Sequence, residues 1–219
     1  MNWNVIVSID GNDGTEGIVK GMMREYSFIS YDKNHVRGGK GWAIKRVVNR
    51  ASGEFTILMD ADGSISFSDI IKAMNMTESY DVIIFDRYSG NKSEIPLIRR
   101  ISSRGLNILV KVLLGIKVKD TQCGYKIIRT YMLREAFTEV AVTNAFFDVD
   151  LLYHLNNIKP RINRIEIDYR HDGNSKLNVF SLTVGMDISL MAFMVRHSRF
   201  YKYVPDWARE LYSRKFKWI

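Results

Sequence analysis

Asp60 and Asp62 stand one residue apart at the end of the run Phe55-Thr56-Ile57-Leu58-Met59, an arrangement that lets two carboxylates grip one divalent cation. Mg²⁺ and Mn²⁺ favour one or two protein carboxylates completed by substrate phosphate oxygens, so a cation here implies a phosphate-bearing substrate such as a nucleoside diphosphate. The apolar run reads as a parallel-sheet strand, and ligands of open α/β sheets bind beyond the carboxyl ends of strands. The same Asp-Ala-Asp-Gly-Ser string also fits an acidic turn after a strand.

Other residues have chemistry to offer around such a pair. Asp10 and Asp13 close the first strand of the chain, where a purine or pyrimidine edge could hydrogen-bond to them; the alternative for each is an Asx-turn. Gly38-Gly39-Lys40-Gly41 permits close backbone approach to a phosphate and adds a cation, without Walker spacing. Asp120-Thr121-Gln122-Cys123-Gly124-Tyr125-Lys126 supplies a carboxylate, an amide and a cation in a loop that a turn would equally explain. Arg87, Arg99, Arg100, Ser103 and Arg104 form a basic group whose guanidinium forks suit phosphate, although one or two could simply solvate a helix face. His35, His154, His171 and His197 lack metal-ligand spacing, which argues against zinc.

The elements that must position these groups alternate. Asn4 to Ile9 is a strand, Thr15 and Glu16 start a helix to about Arg24, Phe28 to Tyr31 is a second strand, and a helix follows Gly41 to about Ala51. Phe55 to Asp60 is a strand, Ser68 to Met76 a helix, Asp81 to Asp86 a strand, and Pro96 to Leu114 a long helix that runs from basic to apolar. Beyond the Asp120 to Gly124 loop, Tyr125 to Arg129 is extended, Phe147 to Leu155 helical, Arg161 to Tyr169 a half-buried strand, and Phe180 to Val204 one or two amphipathic helices. This alternation specifies layered α/β architecture.

At 219 residues, with 46% hydrophobic and 12% aromatic side chains, the chain can bury a sizeable core and is not disordered. The net charge of +8 is uneven: from Arg196 onward seven Lys or Arg face two acids. An anionic partner is expected, and nucleic acid, lipid headgroups and phosphorylated substrates all carry the required charge. Cys123 is the only cysteine, so no disulfide forms within the chain, as suits a reducing compartment. Met-Asn-Trp-Asn does not read as a secretory signal, and Leu177 to Val195 is interrupted by Asp187, so no membrane span is expected.

In order and spacing these pieces resemble the family 2 glycosyltransferases of GT-A fold, in particular the group of dolichyl-phosphate mannose synthase and dolichyl-phosphate glucosyltransferase. The resemblance rests on Gly39-Lys40-Gly41 with Ala43-Ile44 and Ala51-Ser52-Gly53, Asp60-Ala61-Asp62-Gly63, Arg87-Tyr88, Ser103-Arg104-Gly105 and Asp120 through Lys126. It extends to Phe147-Asp148-Val149-Asp150-Leu151-Leu152 and Gly173-Asn174-Ser175-Lys176, and so covers nearly the whole chain. It implies a Rossmann-like, mixed but mostly parallel sheet flanked by helices over 1–177, with amphipathic, basic C-terminal helices over 178–219. Asp60 and Asp62 would hold Mg²⁺ or Mn²⁺ and the donor diphosphate, with Asp10, Asp13, Lys40 and Gln122 also on the donor side and Asp120 near the reacting sugar. Arg87, Arg99, Ser103, Arg104 and Lys176 would bind acceptor phosphate. Mannose synthases carry a metal-holding Gln two residues after the second Asp, where this chain has Ser64, and that tilts the donor from GDP-mannose toward UDP-glucose. The family normally opens with a strand ending in a Pro-x-Tyr-Asn-Glu-like loop, and this chain starts at the strand that follows.

The implied reaction is inverting, metal-dependent transfer of a hexose from a nucleotide sugar to a polyprenyl (dolichyl) phosphate on the cytosolic face of a membrane. It needs a peripheral membrane contact and no nucleic acid. A rival for Asp-x-Asp-Gly-Ser is the haloacid-dehalogenase phosphatases, in which Asp60 would be a nucleophile, but the later acidic pair that such enzymes need is absent from the sequence. A third possibility is a non-catalytic subunit that binds nucleotide sugar.

Overall fold

The structure, a computed structural model, describes residues 3–88, 97–167 and 188–215. It opens with β1 (Val5–Asp10), α1 (Thr15–Glu25) and β2 (Ile29–Asn34), and β1 and β2 pair in parallel from Val5↔Ile29 to Asp10↔Asn34. Ile9, Val19 and Ile29 form the small core of this βαβ unit. Helix α2 (Lys40–Val47), extended by a 3₁₀ turn at Val48–Arg50, then leads to β3 (Phe55–Leu58), α3 (Phe67–Met74) and β4 (Val82–Asp86). Ser66 caps α3, its hydroxyl accepting the Asp69 N–H at 3.2 Å.

The second half contains α4 (Leu97–Leu114), β5 (Lys126–Arg129), α5 (Thr130–Glu139), α6 (Phe147–Asn157) and β6 (Ile162–Glu166). After them come α7 (Ile188–His197), a 3₁₀ turn at Tyr201–Tyr203, and α8 (Asp206–Lys215). Among the described residues β3, β5, β4 and β6 form one sheet in that order, with β5 antiparallel to both neighbours and β4 parallel to β6. Three of its four strands therefore point one way, as the mixed, mostly parallel sheet of the sequence reading requires.

Burial follows strand parity. Val82 and Ile84 of β4 face the large core under α4, α5, α6 and α7, whereas Ile83 and Phe85 face a second core closed by Ile70 and Ala73 of α3. A strand covered on both faces reads as a continuous apolar run, and Val-Ile-Ile-Phe is that run.

Two expectations change. β3 is not a parallel-sheet strand, because its described partner is β5, which runs against it; an apolar run records burial and not a neighbour's direction. Helix α5 was not foreseen, although Met132, Leu133, Ala136 and Phe137 are buried at helical spacing, because it follows β5 without a break. Pro96, Arg161–Tyr169 past Ile167, and Phe180–Val204 before Ile188 lie wholly or partly outside the described residues, as does the boundary at 177/178. No helix among the described residues is long and apolar enough to cross a membrane.

Candidate active site at the carboxyl ends of the strands

Asp10 ends β1, and its two oxygens accept the N–H groups of Gly38 at 2.9 Å and Gly39 at 2.8 Å, with the Asn34 amide at 3.1 Å. Burial works against the Asp10 charge, but these donors and Arg37 outweigh it and lower its pKa. The glycine-rich segment is thereby tied to β1. Gly39 has φ +96°, and a Cβ there would stand 2.7 Å from the Thr143 carbonyl oxygen, so a side chain is excluded on two counts. That close approach lets Trp42 N–H at the start of α2 reach the Thr143 carbonyl at 2.9 Å.

Lys40 follows, and its Nζ lies 2.6 Å from Asp60 Oδ1 beyond the end of β3. Burial opposes the Lys40 charge, yet Asp148 and Asp60 prevail and raise its pKa. The 120–124 loop closes over this pair: a Cβ on Gly124 would meet Asp60 Oδ2 at 2.1 Å and Lys40 Nζ at 2.8 Å. Tyr125 hydroxyl lies 3.0 Å from the Asp60 carbonyl and 3.2 Å from Asp62 Oδ1. Burial raises the Asp62 pKa, but hydrogen bonds from Ser64 and Tyr125 and the charge of Lys40 bring it below the ordinary value. Ser64 donates its main-chain N–H at 3.0 Å, and its side chain is buried beside the same carboxylate.

These residues fit Mg²⁺ or Mn²⁺. No group of three or more His, Cys, Asp or Glu able to hold a metal occurs among the described residues, so two carboxylates leave coordination positions for phosphate oxygens.

At the other end of the loop Asp120 is buried, and Arg87 grips it in a two-pronged pair, Nε to Oδ2 at 2.8 Å and Nη2 to Oδ1 at 2.9 Å. Burial disfavours the Arg87 cation, but Asp120 overrides this and raises its pKa well above the usual value. Between these ends Lys126 supports the loop from beneath. Its side chain is fully buried, with Nζ bonded to the Cys123 carbonyl and to Asp148. β-strand parity places Lys126 on the same face as Ile128, toward α6, where Asp148 is presented. Burial pushes the Cys123 thiol up to about 12, which makes it an inert packing group. Beside Asp86 and Asp120 a cavity of about 360 Å³ is lined in part by Lys117, Lys119, Asn156 and Arg164.

Thus Asp10, Lys40, Asp60 and Asp62 share one rim, and Asp120 meets Arg87 at the far end of the loop. Asp13 accepts the N–H and hydroxyl of Thr15 at the start of α1, the Asx-turn arrangement. Gln122 is half-buried in the loop, and Arg104 is exposed on α4. Arg99 and Ser103 fall on α4, but their side chains lie outside the described residues, as does all of Lys176. Lys126, read from the sequence as a cation on offer in the loop, is instead buried on β5 and committed to Asp148, while Asp148 and Asp150 had no assigned role. Carboxylates inside the apolar run Phe147 to Leu152 were the available signal, since buried charges require partners.

A family model described as glycosyl transferase family 2 matches residues 1–137, more than half of the chain. The chain belongs to glycosyl transferase family 2. Among curated members, a dolichyl-phosphate beta-glucosyltransferase of Dictyostelium discoideum is 25% identical over 209 residues, covering 90% of this chain and 64% of the relative. A protein of the same description from Homo sapiens is 28% identical over 213 residues, covering 90% and 65%. The chain therefore spans less than two thirds of the length of these relatives. The fold matches glucosyl-3-phosphoglycerate synthase from Mycobacterium tuberculosis, solved with Mn²⁺, UDP-glucose and glycerol 3-phosphate, at TM-score 0.59 and 16% identity, covering 92% of this chain and 69% of that one. The same enzyme with phosphoglyceric acid gives TM-score 0.60 at 15% identity, covering 93% and 69%. The GT-A architecture is thus shared, and family membership displaces the phosphatase alternative for Asp60.

Proposed function

We propose that this chain carries a glucosyltransferase domain that moves glucose from UDP-glucose to a polyprenyl (dolichyl) phosphate, with inversion and with help from a divalent metal. The observation that carries the proposal is the Asp60 and Asp62 pair beyond β3, facing Lys40 across a rim that Asp10 also shares. The curated relatives favour glucose over mannose as the sugar, as does Ser64 in place of Gln.

When bound, Mg²⁺ or Mn²⁺ held by Asp60 and Asp62 would neutralise charge on the departing nucleoside diphosphate. Asp10, fixed by the Gly38 and Gly39 N–H groups, would receive the nucleoside. Lys40 offers its ammonium to the diphosphate. The acceptor phosphate has a second pKa near 6 and is already largely ionised at neutral pH, so no strong general base is needed. That agrees with Asp120, whose two oxygens are engaged by Arg87: it would hold the guanidinium for an acceptor phosphate rather than take a proton. Lys117, Lys119 and Arg164 around the neighbouring cavity add positive charge on the acceptor side.

A membrane surface is the expected setting for a lipid acceptor. Met191 and Val195 of α7, then Phe200, Tyr203 and Trp207, are exposed among Arg199 and Lys202, and α4 exposes Ile101, Ile108 and Val112. Aromatic and basic side chains together suit a headgroup layer. Deleting the residues after Val195 should weaken salt-sensitive binding to anionic vesicles; equal binding by the truncated chain contradicts this contact.

The deciding experiment offers radiolabelled UDP-glucose and GDP-mannose with a polyprenyl phosphate, with and without EDTA, while nucleotide binding is followed in parallel. Labelled lipid from UDP-glucose that disappears with EDTA is expected. Nucleotide binding without transfer would favour the non-catalytic subunit, and preferential mannose transfer would overturn the donor assignment.

A further inference from the structure

Lys40 and Asp60 form the closest contact on the rim, and Asp60 is also one of the two carboxylates available to a cation. An ammonium 2.6 Å from Oδ1 occupies space that a divalent ion bound to that oxygen would need, and two cations so close repel. The surroundings hold Lys40 there. Gly124 packs against both partners, the Phe147 ring lies 5.9 Å from Nζ, and Asp148 behind it is already paired with Lys126. The pair is nevertheless about a third exposed on each side, at 31% for Lys40 and 37% for Asp60, so an incoming ligand can reach it. Among the described residues no third acidic or histidine ligand joins Asp60 and Asp62.

Building on the proposed use of this site, we infer that Lys40 is an exchangeable counter-ion that guards Asp60 in the nucleotide-free protein and transfers to the diphosphate when metal and nucleotide arrive together. The anion that draws Lys40 away is thus the one that supplies the missing metal ligands. Metal and nucleotide affinities are then coupled, and the coupling is reciprocal.

The test measures Mn²⁺ binding by electron paramagnetic resonance, with and without UDP, in wild type, Lys40→Met, Lys40→Arg and Asp62→Ala. In the Lys40→Met variant, Mn²⁺ alone should bind about tenfold more tightly, because the competing cation is gone, and UDP should enhance Mn²⁺ binding less than in wild type. Lys40→Arg keeps the charge and should resemble wild type. Unchanged Mn²⁺ affinity in Lys40→Met, with UDP-dependent uptake intact in wild type and lost in Asp62→Ala, overturns the exchange but leaves the metal assignment standing. No Mn²⁺ uptake by wild type even with UDP overturns both. Should Lys40→Met fail to fold, crystals of wild type with Mn²⁺ and UDP decide the matter: Nζ is expected on a diphosphate oxygen, and Nζ still on Asp60 beside bound Mn²⁺ contradicts the inference.

Discussion

Two lysine–aspartate pairs hold the 120–124 loop, one through Gly124 and one through the Cys123 carbonyl, and they differ in one physical respect. Lys126 and Asp148 have side chains 0% and 3% exposed, while Lys40 and Asp60 are 31% and 37% exposed. The buried pair has no water to fall back on, so loss of one partner strands a charge in the core between β5 and α6. The rim pair keeps about a third of each side chain open to solvent, which leaves both partners within reach of ligands. Identical chemistry thus serves as scaffold in one place and, on the inference above, as exchangeable binding equipment in the other, with burial making the difference.

The comparison is broken most severely by Lys126→Met, which should destabilise the fold by about 3–5 kcal/mol in denaturant unfolding, with much of the loss recovered when Asp148→Leu is added. A single variant with near-wild-type stability would deny the pair its scaffold role. Next in size, Asp62→Ala should reduce metal-dependent transfer by about a hundredfold or more while lowering the thermal melt only slightly, since several kcal/mol of charge stabilisation are removed from the reaction and only the Ser64 and Tyr125 hydrogen bonds from the fold. Unaltered turnover in that variant refutes the assignment of the rim. Gly124→Ala attacks the rim pair without changing its charges, because the new Cβ overlaps Asp60; metal-dependent UDP binding should fall clearly, and retained affinity would mean the loop does not pin the pair.

Acidification separates the same groups more gently. Asp10 and Asp62 have pKa values below the ordinary carboxylate value of 3.8, so their charges, present above it, are lost only as pH falls through their still lower folded-state values. The acceptor phosphate, by contrast, gains a proton below about pH 6. Transfer should therefore decline near that pH while binding of UDP-glucose, whose diphosphate is esterified at both ends and does not titrate there, persists to lower pH, as parallel rate and binding profiles would reveal; a simultaneous loss would contradict it. The smallest effect is expected for Lys40→Met on stability, within about 1 kcal/mol of wild type as for other solvated pairs.

Much of this was legible before any coordinates. The alternation of strand and helix, the acidic ends of β1 and β3, and Lys40 in its glycine-rich segment could be read because each depends on local pattern. The antiparallel insertion of β5 between β3 and β4 could not, because strand order is a property of tertiary packing. Nor could the pairing of Arg87 with Asp120 across 33 residues, or of Lys126 with Asp148 across 22, although the two aspartates within Phe147 to Leu152 marked a place where partners had to exist. Asp13 illustrates the converse: residue type alone allowed ligand contact or a local turn, and its bond to Thr15 is local.

In the proposed function Asp60 and Asp62 seat a divalent cation against a nucleoside diphosphate. Anomalous diffraction from crystals grown with Mn²⁺ and UDP-glucose tests it most directly. One manganese peak is expected within bonding distance of that carboxylate pair and of the diphosphate oxygens; nucleotide bound on the rim with no such peak, or with manganese elsewhere, would overturn the metal assignment.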